Sequence, residues 1–351
     1  MMSKIRINRL SKAYDGNQVI HNIDMEVEEG ELVVLLGPSG SGKTTLLHGI
    51  AGLVHMDQGS IYFDEECIDQ VPIEKRNAVL VDQSLLLFPH MTLNQNIGFG
   101  LKMRGMSKKH IDEKVKALVA LLELGGHENK RPNEISGGQM QRVAIARALA
   151  IEPRVLLLDE PFSKLDIVLR KNMQKFVRGL QKKLGITMIM VTHDKEEALS
   201  MADKVAVLLD GTIQQFDTPD KVYERPASRA VADFFGMRNY IEGYVENGQL
   251  VTELGVFRTH HKEGLKLTYV FRPEEIYIDH EAFEGALGVI INRTYLGDKI
   301  TYEIACKEQI IYHITLQHKA LKPGDTVKVN FDFKNAVYFE TASDNKEKLT
   351  C

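Results

Sequence analysis

Leu32-Val33-Val34-Leu35-Leu36 runs directly into Gly37-Pro38-Ser39-Gly40-Ser41-Gly42-Lys43-Thr44, and Thr45-Leu46-Leu47-His48 follows. The apolar run has the length and texture of a strand covered on both faces. The loop after it fits G-x-x-x-x-G-K-[ST], in which glycines let successive backbone N–H groups curl around a phosphate. Helical character begins near Lys43, so the first N–H groups of that helix add positive potential at the same point. Strand, loop and helix in this order predict that Lys43 reaches the β- and γ-phosphates of a nucleotide and that the Thr44 hydroxyl ligates Mg²⁺. A glycine-rich connection with no ligand is the plain alternative, and the flanking strand and helix argue against it.

Other apolar runs extend the pattern outward. Ala78–Val81, Val155–Leu158 and Thr187–Val191 are short and continuous, as for strands of a parallel sheet buried on both faces. Val155–Leu158 ends in Asp159-Glu160. A carboxylate at the carboxyl end of such a strand is where a phosphate-loop enzyme holds Mg²⁺, which assigns that role to Asp159. Glu160, one residue on, is placed to polarise an attacking water as general base. Ile5, Ile7, Ile23, Met25 and Val27 alternate with polar residues and predict an antiparallel edge sheet. Ser107–Leu124 puts Ile111, Val115, Leu118, Val119 and Leu122 on one helical stripe, inside an insertion between two core strands. Asp210-Gly211 reads as a tight hairpin between Val205–Leu209 and Thr212–Phe216. The fold class is α/β: a phosphate-loop cassette with a parallel core sheet, an antiparallel edge sheet and a helical insertion at about residues 88–150.

After Asn239 the helical period disappears. Val327, Val329, Phe331 and Phe333 alternate strictly with Thr326, Lys328, Asn330 and Asp332, while Asn247-Gly248, Leu296-Gly297-Asp298 and Pro323-Gly324-Asp325 supply turns. This predicts two domains, residues 1–239 and a small all-β barrel, OB-like, over 240–351.

Composition excludes several classes of function. The chain of 351 residues carries 44 Lys+Arg against 48 Asp+Glu, a net −4, and the whole excess sits in residues 241–351. Neither half is basic, so a nucleic-acid partner is not expected. No apolar run reaches the ~18 residues that span a bilayer. The opening MMSKIRINRL has no apolar signal region, which predicts a cytoplasmic location. Cys67, Cys306 and Cys351 lie far apart without ligand spacing, arguing against a disulfide framework or a zinc site.

Ile135-Ser136-Gly137-Gly138-Gln139-Met140-Gln141-Arg142 precedes Val143-Ala144-Ile145-Ala146-Arg147-Ala148-Leu149. Ser136 and Gln139 have capping-box spacing, and a helix that starts with bare N–H groups behind two glycines is also an anion site. Here the chain resembles the ATP-binding cassette (ABC) transporter ATPases, whose LSGGQ signature differs only by Ile135 for Leu. The resemblance covers nearly the whole chain, with weaker motifs after Asn239.

The resemblance implies further roles in order along the chain. Tyr14 matches the aromatic that stacks on adenine, and Gln83 matches the glutamine that touches Mg²⁺ and senses the membrane partner. Pro161–Asp166 resembles the D-loop that borders the nucleotide, with Lys164 where a small residue is commoner and Asp166 at its end. His193, in Val191-Thr192-His193-Asp194, matches the switch histidine at the γ-phosphate. It also implies that two copies sandwich two ATP molecules, each phosphate loop facing the partner's Ser136–Gln139. Transmembrane permease subunits would dock near Gln83 and the helical insertion, with a solute-binding protein outside the cell, so the chain would sit peripherally at the cytoplasmic face of the membrane.

Gly211–Pro219, Phe234–Asn239 and the R-P-E of Arg272-Pro273-Glu274 are similar to importer ATPases with a C-terminal TOBE-type domain. Cargo stays open among an ion, an oxyanion, a polyamine and a quaternary amine. The barrel itself reads as a structural dimerisation platform. His260-His261 is an isolated pair, and only Arg258, Arg272 and Arg293 are available to hold an anion. A soluble ABC ATPase acting on DNA or the ribosome is the competing reading. It generally needs two cassettes or a long coiled coil, whereas one phosphate loop stands here and no sustained heptads separate Lys43 from Asp159.

Overall fold

Buried continuous strands and half-buried alternating ones sort into separate sheets. The computed structural model describes residues 3–279, 285–316, 321–334, 336–340 and 348–349; Cys351 lies outside them. The chain divides into two compact units, Met1–Val222 and Tyr223–Cys351.

In the first unit the elements run β1 (Ile5–Tyr14), β2 (Asn17–Val27), β3 (Leu32–Leu36), α1 (Lys43–Ala51), β4 (Gln58–Phe63), β5 (Glu66–Cys67), α2 (Ile73–Arg76) and β6 (Ala78–Val81). Then follow α3 (Leu93–Met103), α4 (Lys108–Leu121), α5 (Gly137–Ala150), β7 (Val155–Asp159), α6 (Ile167–Leu184), β8 (Thr187–Thr192), α7 (Lys195–Met201), β9 (Lys204–Leu209) and β10 (Thr212–Asp217). The antiparallel sheet has the order β2-β1-β4-β5, and the main sheet β10-β9-β3-β8-β7-β6. Pairing is parallel from β9 through β3, β8 and β7 to β6, with β10 antiparallel at one edge.

Every residue of β3, β7 and β8 is buried, as their unbroken apolar runs require. Period two divides them: Val33, Leu35, Val155, Leu157, Ile189 and Val191 join Ile5, Ile7, Leu10, Ile23 and α1 in one core, so the antiparallel sheet covers that face. Val34, Leu36, Leu156, Leu158, Met188 and Met190 are equally buried on the opposite face. Full burial of one such side chain stabilises by about 1.5–3 kcal/mol. The guanidinium of Arg76, buried beside α1, donates to Gly49 O (3.0 Å) and Ile50 O (3.3 Å) at the carboxyl end of that helix.

The helical insertion lies between β6 and β7. Ser107 caps α4, and Val115, Leu118, Val119 and Leu122 are buried as their stripe predicts, while Ile111 lines a groove. That groove, about 1070 Å³, runs between α3 and α4 past His90, Phe99 and Met103. Asp210 (φ 46°) and Gly211 (φ 74°) make the β9–β10 turn, the conformation that Asp-Gly favours.

Helix α8 (Pro219–Glu224) straddles the division, and α9 (Arg229–Phe234) opens the second unit. There β11 (Asn239–Glu246), β12 (Gln249–Thr252), β13 (Gly255–Arg258), β14 (Lys266–Phe271), β15 (Tyr277–Asp279) and β16 (Ala286–Tyr295) are followed by β17 (Ile300–Cys306), β18 (Gln309–Thr315), β19 (Thr326–Asn330), β20 (Val337–Glu340) and β21 (Lys348–Leu349). They form two antiparallel sheets, β13-β12-β11-β14-β20-β21 and β15-β19-β16-β17-β18, around one core that includes Tyr269, Phe271, Tyr302 and Val329. The sequence alternation runs on to Phe333, but β19 ends at Asn330, where Asp332 Oδ1 accepts from Lys334 N (3.0 Å) and turns the chain. Phe331 and Phe333 still pack on the core from that turn. Arg258 lies on the edge strand of one sheet and Arg293 on the other sheet, while Arg272 pairs with Glu275 in the same turn.

Candidate active site

Strand order decides what meets at the carboxyl edge of the parallel sheet. Because β3, β8, β7 and β6 are neighbours, the loops that leave them are neighbours too: the phosphate loop, His193, Asp159-Glu160 and Gln83. The registers Leu36↔Thr192, Asp159↔Val191 and Val81↔Leu158 bring the strand ends level.

In the loop itself, Gly37 is held so tightly that a Cβ would come within 2.1 Å of Leu208 O. Gly42 (φ 97°) would place a Cβ 2.7 Å from Val19 O, so both positions tolerate only glycine. Gly42 also precedes the first turn of α1 and supplies no side-chain cap, which leaves the N–H groups of that turn without a side-chain acceptor. Ser41 Oγ is buried with no hydrogen-bond partner. Pro38, Ser39 and Gly40 are exposed at the rim, Thr44 is exposed and Thr45 half-buried. An orphaned buried hydroxyl, an uncapped helix start and backbone that a Cβ would block fit a bound phosphate.

Lys43 Nζ donates to Gly37 O (2.9 Å) and Pro38 O (2.7 Å). Burial lowers its pKa, opposed by the charges of Glu160 and Asp159. Thr44 Oγ1 lies 3.4 Å from Asp159 Oδ1, and burial pushes that carboxyl above its usual range. Two hard oxygen donors side by side suit Mg²⁺. Among the described residues no group of three or more His, Cys, Asp and Glu could hold a metal, so such an ion would depend on nucleotide oxygens for its remaining ligands.

Glu160 follows with φ 42°, left-handed backbone in a residue with a Cβ, fixed by its N–H donating to Val191 O (3.1 Å). Its carboxylate is bracketed. His193 Nδ1 is 3.0 Å from Oε1, and Gln83 Nε2 is 3.4 Å from Oε2. The three residues that sequence proposes for chemistry therefore share one carboxylate. Ser163 was not singled out by sequence, yet its Oγ accepts from Gln83 Nε2 (2.9 Å) and donates to Glu160 O (3.0 Å). Thr192 and Glu197 were also missed: Thr192 Oγ1 donates to Glu197 Oε2 (2.6 Å) and accepts from Asp194 N (3.0 Å), which fixes the turn carrying His193. No local pattern flags the Gln83–Ser163 contact, because its partners come from loops 80 residues apart.

The remaining predicted residues stand apart. Tyr14 ends β1 and pairs with Asn17 at the hairpin tip, 43% exposed, and Val19 and Ile20 of the same hairpin pack on Gly42. Ser136 caps α5 and forms the expected capping box with Gln139, whose Nε2 lies 3.0 Å from His127. Gly137 packs toward Leu165 and Gly138 toward Leu169. Asp166 caps α6 by accepting from Leu169 N (3.0 Å). Among the described residues, none of Ser136–Gln139 makes a hydrogen bond to the phosphate loop of its own chain.

Residues 20–163 match the ABC transporter family, and residues 269–339 match the TOBE domain. A spermidine/putrescine import ATP-binding protein, PotA, of Marinobacter nauticus is 44% identical over 310 residues, covering 84% of this chain and 83% of that protein. This chain belongs to the ABC transporter ATP-binding subunits. It is an importer-type ABC ATPase with a C-terminal TOBE domain. Among solved structures, cbiO1 of Clostridium perfringens, part of the ABC transporter complex cbiONQ, is similar at TM-score 0.59 and 31% identity, covering 62% of this chain and 89% of its own. A dimeric ATP-binding cassette in a post-hydrolysis state, bound to ADP and Pi, is similar at TM-score 0.54 and 29% identity, covering 61% and 98%.

Proposed function

We propose that this ABC ATPase drives uptake of a polyamine as a nucleotide-sandwiched dimer, held at the cytoplasmic face of the membrane by permease subunits and served by an external solute-binding protein. The polyamine assignment draws on the relative of 44% identity, whose name specifies spermidine and putrescine. The observation that carries the ATPase mechanism is the Glu160 carboxylate lying between His193 and Gln83.

In this reading Lys43 and the loop amides from Gly37 to Thr45 bind the β- and γ-phosphates, and Tyr14 stacks on the base. Thr44, Asp159 and Gln83 would hold Mg²⁺, which supplies charge neutralisation at the phosphates when bound. Glu160 accepts the proton of the attacking water, while His193 contacts the γ-phosphate and Gln83 orients the water. Ser136–Gln139 and Asp166 of one copy complete the site of the other, in keeping with the lack, among the described residues, of any hydrogen bond from Ser136–Gln139 to their own phosphate loop. The groove between α3 and α4 receives the permease.

Glu160→Gln removes the base and keeps the shape. ATP turnover should fall at least ~100-fold, within the usual range for general-base loss, with the variant migrating as an ATP-dependent dimer on size exclusion. Normal turnover would remove Glu160 from that role. Cargo is tested by uptake of radiolabelled spermidine in cells carrying the native chain or Glu160→Gln. Equal uptake would reject the polyamine.

A further inference from the structure

Leu85 (φ 61°) and Leu86 (φ 43°) hold left-handed backbone in succession, between Gln83 and Phe88. Such backbone is costly for any residue with a Cβ and persists only where its surroundings over-determine it. Arg147 does so here. Its Nη1 donates to Leu86 O (2.8 Å), its Nη2 donates to Leu85 O (2.9 Å), and its guanidinium lies 5.4 Å over the Phe88 ring. No carboxylate acts on Arg147 among the causes of its pKa shift, and partial burial alone lowers it from the ordinary arginine value. A half-buried cation whose two guanidinium nitrogens both go to the carbonyls of consecutive left-handed residues does more than fill space.

Both ends of the same segment are tied to other parts of the molecule. Gln83 reaches Ser163 and Glu160. Phe88 N donates to Oδ1 of the fully buried Asn96 and Phe88 O accepts from its Nδ2, while the Phe88 ring packs at a tilt of 48° against Phe99 of the groove, centroids 4.5 Å apart. Arg147 itself lies in the last turn of α5, the helix that Ser136 caps. We propose that Arg147 is a positioning residue that latches the 85–88 bend, keeping Gln83 at Glu160 and Phe88 at the groove, and so links the signature helix to both. This rests on the reading of Glu160 and Gln83 as the hydrolytic pair.

The test uses two readouts. The chain contains no tryptophan, so Leu86→Trp introduces a sole indole at a position that is 65% exposed. Adding Arg147→Met to that variant should lower the indole's fluorescence polarisation without shifting the unfolding midpoint enough to explain it. Unchanged polarisation would overturn the latch. The second readout is the ATP turnover of Arg147→Met in the native chain and in Leu85→Gly/Leu86→Gly. Glycine adopts left-handed backbone without steric cost, so the latch should matter less there. The expected fall in kcat is about tenfold with leucines and about threefold or less with glycines, at little change in KM. Equal losses in both backgrounds would refute the proposal. If Arg147→Met does not fold, Arg147→Lys carries both readouts, with a smaller effect expected because one ammonium lacks the fork that serves both carbonyls. Failure of the underlying reading looks different: the native chain would not hydrolyse ATP, while the indole readout, which needs no hydrolysis, would still report the latch.

Discussion

Gly40 (φ 83°) and Gly42 (φ 97°) carry the left-handed turns of the phosphate loop, whereas Leu85 and Leu86 carry those of the segment after β6. Both bends leave the carboxyl edge of one sheet and deliver groups to one site. The first is unstrained in itself, because glycine adopts that backbone freely. The second needs Arg147 from α5 and Asn96 from α3. A bend made from glycine therefore carries no strain of its own, while a bend made from leucine is only as firm as the elements that grip it. That is a sensible property for the segment that would relay between the hydrolytic site and a membrane partner.

Four substitutions break or sharpen this contrast. Gly37→Ala should have the largest effect, since the new Cβ would meet backbone at Leu208 O; we expect more than ~3 kcal/mol of destabilisation and loss of ATP binding, read by denaturant unfolding and nucleotide titration. Asn96→Ala should cost about 2–3 kcal/mol, because it strips partners from Phe88 N and from the carbonyls of Phe88, Met91 and Thr92. Denaturant unfolding of the whole chain reads that value. Next comes Asp159→Asn. Its carboxyl has a raised pKa, chiefly through burial, so the native state binds its proton more tightly than the unfolded one. Stability therefore falls as pH rises from the ordinary carboxylate value through the raised one, then stays level. At neutral pH, Asp159→Asn should raise Tm by about 2–4 °C in the absence of nucleotide, and the difference should shrink as the pH is lowered through that window. The smallest effect belongs to Leu86→Gly: relief of about 1–2 kcal/mol of left-handed strain outweighs about 0.4–1 kcal/mol of added unfolded-state entropy, a net stabilisation of at most about 1 kcal/mol and the reverse of what glycine does in an ordinary helix or strand.

Legibility followed the same division. The strands around Leu32–Leu36, Val155–Asp159 and Thr187–Thr192 were readable because burial on both faces leaves unbroken apolar runs, and the phosphate loop because its glycines do their work locally. Glu160, His193 and Gln83 stood out one by one as candidates from motif order, and their meeting at one carboxylate follows once β3, β8, β7 and β6 are neighbours. Ser163 and Arg147 were opaque, since each acts on a partner from a distant loop. In the second unit, alternation gave the strands but overran at Phe331 and Phe333. Core-facing side chains continue past the last ladder bond there, so hydrophobic period and hydrogen bonding part company.

Arg76 closes one end of α1 and leaves the other open. Its guanidinium covers Gly49 O and Ile50 O, the negative pole of the helix, while the positive pole opens beneath the phosphate loop. The helix is an electret with one terminal permanently grounded by the protein and the other left for the nucleotide. A charge arriving at the loop thus meets the positive pole of a helix whose negative pole, about nine residues' rise or ~14 Å away, is already covered by an arginine.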